Sequence, residues 1–138
     1  MVSVHPDPAP PVGSRGIDEI LAAARSRLTR LDAPAAAAAQ RDGALLVDIR
    51  PVAQRAAHGG IPGALIVERN VLEWRFDPRS DARLPQAGRY DLPVVVFCQE
   101  GYTSSLAAAA LQELGLHRAT DLTGGYAAWQ AAGLPVTA

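Results

Sequence analysis

The chain contains a single cysteine, Cys98, placed where an apolar run meets a glycine-containing turn and a helix-forming stretch. In Cys98-Gln99-Glu100-Gly101-Tyr102-Thr103-Ser104, a tight turn aims successive backbone N–H groups inward, and the start of the following helix adds about half a positive charge. Such a cradle suits an anion and favours a thiolate at its lip. Cys98 is the expected nucleophile, with Gln99, Glu100, Gly101, Tyr102, Thr103 and Ser104 forming the substrate-binding loop around it. Gly101 fits a turn that needs positive φ or a close approach of backbone to ligand. A lone cysteine is more often a small buried hydrophobe. The coincidence of strand end, glycine loop and helix start argues against that here.

Composition removes several other chemistries. All 13 basic residues are arginine, which excludes a Schiff-base lysine and the lysine of a phosphate-binding loop. One cysteine forms no internal disulfide, and no Cys/His cluster has metal-ligand spacing, so neither a metal nor another cofactor is expected. The net charge of −1 gives no positive field for nucleic acid or an anionic membrane. No run of about 18 apolar residues suggests a membrane span, and the first residues lack the apolar stretch of a signal peptide. A reducing cytoplasm is the expected location.

Alternating strands and helices are required to position the loop. Residues 1–16 are rich in proline and glycine and are expected to form a disordered tail. Ile17, Ile20, Leu21, Ala24, Leu28 and Leu31 recur at helical spacing and predict an amphipathic helix in the segment 17–33, with Arg25, Arg27 and Arg30 on its solvated side. Residues 34–138 follow as one domain: a short helix over 34–41, a buried strand over 44–49, a short helix over 52–57 and a second strand over 64–67. Residues 70–76 form a helical turn, and 77–91 an irregular connection. The clearest strand is 92–98, β-branched and uncharged. A buried helix from Thr103 to Leu114, a last strand near 119–122 and a final helix to Ala132 complete a parallel three-layer α/β arrangement. Ligands in such folds bind at the carboxyl ends of the strands, where Cys98 lies.

Four ordered segments resemble the rhodanese-like family. Leu46-Val47-Asp48-Ile49-Arg50 is similar to its Asp-x-Arg first-strand signature, and Ile61-Pro62-Gly63-Ala64 to its Ile-Pro-Gly-Ala turn. The loop from Cys98 to Ser104 matches its Cys-x-x-Gly active loop, and Gly124-Gly125-Tyr126-Ala127-Ala128-Trp129 with Gly133-Leu134-Pro135 its C-terminal segments. The resemblance implies an α/β/α domain with a five-stranded parallel sheet. It also implies a double displacement in which Cys98 alternates between thiolate and persulfide, taking sulfur from a small donor and passing it to a thiol, cyanide or protein acceptor. Two departures stand out: Gly59-Gly60 replaces the Gly-His that often precedes Ile-Pro-Gly-Ala, and Glu100 places an acid where thiosulfate-specialised members tend to carry a base.

The supporting residues have structural alternatives. Asp48 and Arg50 are expected to brace the loop through hydrogen bonds and an ion pair, with Arg50 also a candidate substrate contact. Arg75 is the arginine after the second strand that could reach the substrate anion. Trp129 is expected in the core, and Gly124 and Gly125 to permit close strand-to-helix packing. A thiol phosphatase would use the same cradle, but its arginine six positions after the cysteine is Ser104 here. The stronger alternative to an enzyme is a non-catalytic or carrier module that keeps the fold for binding or regulation.

Overall fold

Successive side chains of a strand point to opposite sides of a sheet, so a strand covered on both faces reads as a run of apolar residues without alternation. The computed structural model, which describes residues 8–138, places two such strands at the centre of a parallel sheet. They are β1 (Leu45–Asp48) and β3 (Val94–Phe97); β2 (Leu65–Ile66) and β4 (Ala119–Asp121) flank them in the order β2-β1-β3-β4. Asp48 stands opposite Phe97 in the register, so Arg50 and Cys98 leave the sheet at the same end.

Alternation divides the core in two. Val47, Val94 and Val96 face Leu72 and Phe76 of α4 (Leu72–Phe76) and Ala107, Ala108 and Leu111 of α5 (Thr103–Glu113). Leu46, Val95 and Phe97 face Ala33, Ala36 and Ala37 of α2 (Ala33–Arg41) and Tyr126 and Trp129 of α6 (Gly125–Ala131). Each fully buried Leu or Phe contributes about 1.5–3 kcal/mol. The small alanine faces of α2 and α5 let both helices lie close to the sheet. Between β1 and β2 runs α3 (Val52–His58), and α1 (Ile17–Ser26) packs against α5.

The α/β class and parallel sheet are as expected, but among the described residues the sheet has four strands rather than five. Leu31 marks where the fifth would lie: it makes one parallel bridge to Leu122, donating to the Asp121 carbonyl at 3.1 Å and accepting from Thr123 N–H at 2.8 Å. The ladder stops there because Asp32 turns to cap α2, its Oδ1 accepting Ala35 N–H at 2.9 Å, and Pro34 has no N–H to give. The helix α1 ends at Ser26, short of its apolar stripe: Leu28 and Leu31 belong to the extended link and pack against the core from there. Of the tail expected over residues 1–16, the first seven lie outside the described residues, and 8–16 form neither helix nor strand and are exposed. Among the described residues no helix is long and apolar enough to cross a membrane.

Candidate active site

Cys98 follows the last residue of β3, and its loop is shaped by what presses on it from behind. Its Sγ accepts the Gly101 N–H at 3.2 Å, closing a tight turn in which Gly101 adopts φ +88°. A Cβ on Gly101 would stand 2.7 Å from the Gly124 nitrogen, and one on Gly125, at φ +63°, would stand 2.5 Å from the Cys98 carbonyl oxygen. Gly125 therefore admits the active loop itself, a more specific role than strand-to-helix packing, whereas a Cβ on Gly124, at φ +76°, would meet Ala128 Cβ at 2.7 Å within α6.

The first turn of α6 uses this proximity. Its unpaired N–H groups need acceptors, and Tyr126 N–H takes the Cys98 carbonyl at 2.9 Å while Ala127 N–H takes that of Gln99 at 3.0 Å. Among the described residues no peptide bond is cis, so each N–H points opposite to the carbonyl of its own peptide unit. With the carbonyls of Cys98 and Gln99 held toward α6, the N–H groups of Gln99 and Glu100 are directed away from it. The loop is turned with its donors toward the mouth, the orientation that an anion needs.

Arg50 is wholly buried and braces the loop from the β1 side. Its Nε and Nη2 grip Asp48 at 2.9 and 2.7 Å, Nη2 also donates to the Gly59 carbonyl at 2.7 Å, and Nη1 donates to Gln99 Oε1 at 2.9 Å. The Tyr126 ring covers the guanidinium at 4.2 Å. With its charge paired and its donors committed, Arg50 fits the bracing role and has no free face for substrate. Ser104 is likewise withdrawn: it is buried, and its Oγ donates to Asp121 Oδ2 at 2.8 Å. Arg75 turns elsewhere, with Nη1 donating to the Ala82 carbonyl at 2.6 Å, where it ties α4 to the 77–91 connection.

A shallow cavity of about 240 Å³ opens over Cys98, lined by Gln54, Gln99, Glu100, Tyr102 and Thr103. Gln99, Glu100, Tyr102 and Thr103 thus lie together beside the thiol, while Gln54 of α3 was not foreseen. Trp129 lies in the core, its Nε1 donating to the Pro135 carbonyl at 2.8 Å. A larger hollow of about 500 Å³ lies at the amino ends of the strands, among Pro93, Val94, Ala119 and Arg118, at the opposite end of the sheet from the thiol.

Sequence reasoning also missed a polar cluster beneath the loop. Asp121, fully buried at the end of β4, accepts from Ser104 and Ser105 hydroxyls and from Arg30 Nε at 2.8 Å. Arg25 and Arg30, expected on a solvated face, both donate to the Gly101 carbonyl, at 2.8 and 3.0 Å. The available signal was Asp121 itself: a carboxylate in a buried strand needs a cation, and arginine supplied every candidate.

Comparison with known proteins agrees with this architecture. The family model for the rhodanese-like domain matches residues 32–132. A protein of Allochromatium vinosum named sulfurtransferase is 36% identical over 100 residues, covering 72% of this chain and 84% of its own. A thiosulfate sulfurtransferase GlpE of Actinobacillus succinogenes is 31% identical over 97 residues, covering 70% and 78%. Among solved structures, a Rhodopseudomonas palustris protein described as of unknown function and a possible tyrosine phosphatase superposes with a TM-score of 0.81 at 33% identity, covering 94% of this chain and 99% of its own. With its matched segment spanning all four strands, the loop and the glycine turn behind it, this chain belongs to the rhodanese-like domain family, among relatives named sulfurtransferases.

Proposed function

We propose that this protein is a sulfurtransferase of the reducing cytoplasm in which Cys98 carries sulfur as a persulfide. The observation that carries the reading is the 3.2 Å contact from Gly101 N–H to Cys98 Sγ, within a loop whose carbonyls are drawn outward by α6. A thiolate there attacks the outer sulfur of a donor such as thiosulfate. The donor's S–S bond breaks, sulfite leaves with the electron pair, and the persulfide forms at Cys98. An acceptor nucleophile, cyanide or a thiol, then attacks the terminal sulfur and releases the Cys98 thiolate. Charge is conserved in both steps and no oxidant is needed. The loop donors serve the anionic group of the donor and the persulfide in turn. Gln99, Glu100, Tyr102 and Thr103 form the mouth at which a small donor or a protein acceptor meets the thiol.

The phosphatase description of the Rhodopseudomonas relative favours a second reading less. A thiol phosphatase clamps phosphate with an arginine six positions after its cysteine, and Ser104 stands there, bound to Asp121. Mass spectrometry of the full chain after incubation with thiosulfate and with an organic persulfide tests the proposal. One added sulfur on Cys98, absent in Cys98→Ser and discharged by cyanide, is expected. No adduct with any donor would leave a binding module, and hydrolysis of an aryl phosphate without an adduct would leave the phosphatase.

A further inference from the structure

The segment that precedes the family match reaches the active loop through two arginines, Arg25 at the end of α1 and Arg30 in the extended link after it. Arg25, in the last turn of α1, donates Nη2 to the Gly101 carbonyl at 2.8 Å and Nε to Ser105 Oγ at 3.1 Å, and its guanidinium lies 5.7 Å from the centre of the Tyr102 ring. Arg30 donates Nη2 to the same carbonyl at 3.0 Å while its Nε and Nη2 hold Asp121. Two guanidinium groups on one backbone oxygen is an unusual concentration of charge, and both sit outside residues 32–132. The Gly101 carbonyl shares its peptide unit with the Tyr102 N–H, and in a trans peptide that N–H points directly away from the arginines. The Tyr102 N–H has no acceptor among the described residues, and Tyr102 lines the mouth over Cys98. Cationic donors on the oxygen also polarise the peptide and strengthen its N–H as a donor.

We propose that Arg25 and Arg30 are positioning residues for the active loop, which pin the Gly101 carbonyl outward so that the Tyr102 N–H faces an incoming anionic sulfur donor. The identity of that donor rests on the sulfur-transfer reading; the geometry does not. The N-terminal helix is therefore part of the site's machinery rather than an appendage. Arg25 is the cleaner position to test, since Arg30 also neutralises the buried Asp121.

Alkylation of Cys98 by iodoacetate, an anion, and by iodoacetamide, its neutral counterpart, reads anion reception by the loop without requiring sulfur transfer. In the full chain, Arg25→Ala is expected to lower the iodoacetate-to-iodoacetamide rate ratio about three- to tenfold, as loss of a charge-assisted hydrogen bond would. The effect should persist at 1 M salt, where attraction through solvent is screened beyond about 3 Å. Arg25→Lys, which keeps the charge but loses the two-point grip, should recover only part of the ratio, and the Michaelis constant for thiosulfate should rise in parallel. An unchanged ratio, with a lowered melting temperature only, overturns the proposal in favour of a brace between α1 and α5. An effect that vanishes at high salt and is fully restored by lysine overturns it in favour of charge alone. If the parent chain forms no persulfide yet Arg25→Ala still lowers the ratio, the positioning role stands and the sulfur-transfer reading falls.

Discussion

Gly125 and Cys98 are in backbone contact: the hydrogen on the Gly125 Cα faces the Cys98 carbonyl, and a methyl group in its place would stand 2.5 Å from that oxygen. Through this contact the N-terminal turn of α6 sets the direction of the active loop. Gly125→Ala adds a left-handed penalty of about 1–2 kcal/mol to a collision with backbone that cannot rotate aside. The expected outcome is a chain that still folds, at a lower urea midpoint, but forms persulfide at Cys98 much more slowly. Persulfide formation at the parent rate would mean that the loop does not depend on this turn.

The Asp48–Arg50 pair is buried on both sides. Removing one partner strands a charge in the core, which costs about 3–5 kcal/mol, whereas replacing both by apolar residues of similar size is often near neutral. Asp48→Asn should therefore lose most of that stability in urea melts. The double variant Asp48→Leu with Arg50→Met should regain it while leaving Gln99 without its donor and sulfur transfer impaired. A single variant costing less than about 1 kcal/mol would show that the pair is better solvated than its burial implies.

Glu100 is exposed and lines the mouth over Cys98. A carboxylate within about 8 Å of an incoming dianion weakens its binding by of order 1 kcal/mol at moderate salt. Glu100→Gln should lower the Michaelis constant for thiosulfate several-fold and Glu100→Lys should lower it further, both effects shrinking at high salt. An organic persulfide of lower charge should respond much less. Unchanged thiosulfate kinetics in both variants at low ionic strength would remove Glu100 from any account of donor choice.

Asp32 supplies a control in which stability and chemistry separate. Its carboxylate caps α2 at 2.9 Å, on the surface and away from the Cys98 mouth. Asp32→Ala should cost about 1 kcal/mol in denaturant melts and leave persulfide formation at the parent rate. A loss of transfer beyond the loss of folded protein would tie α2 to the site in a way its cap does not explain.

Local patterns in the sequence were enough for the elements and for the nucleophile. The apolar runs ending at Asp48 and Phe97 could only be strands covered on both faces, and Cys98 could only follow the second of them into a glycine turn, because period, β-branching and turn chemistry are properties of neighbouring residues. What the tertiary structure decided depended on partners distant in the chain. Leu31 became a single bridge instead of a fifth strand because the Asp32 cap and Pro34 diverted the backbone at once. Arg50 turned inward because Asp48, Gly59 and Gln99 converge on it, while Arg75 found Ala82 instead of the substrate mouth. Arg25 and Arg30 look like any solvated arginines along their own segment. Only the packing of α1 against α5, and of the link after it beside β4, brings them under the Gly101 carbonyl, 71 to 76 residues further along the chain, and no local pattern records a contact made across that separation.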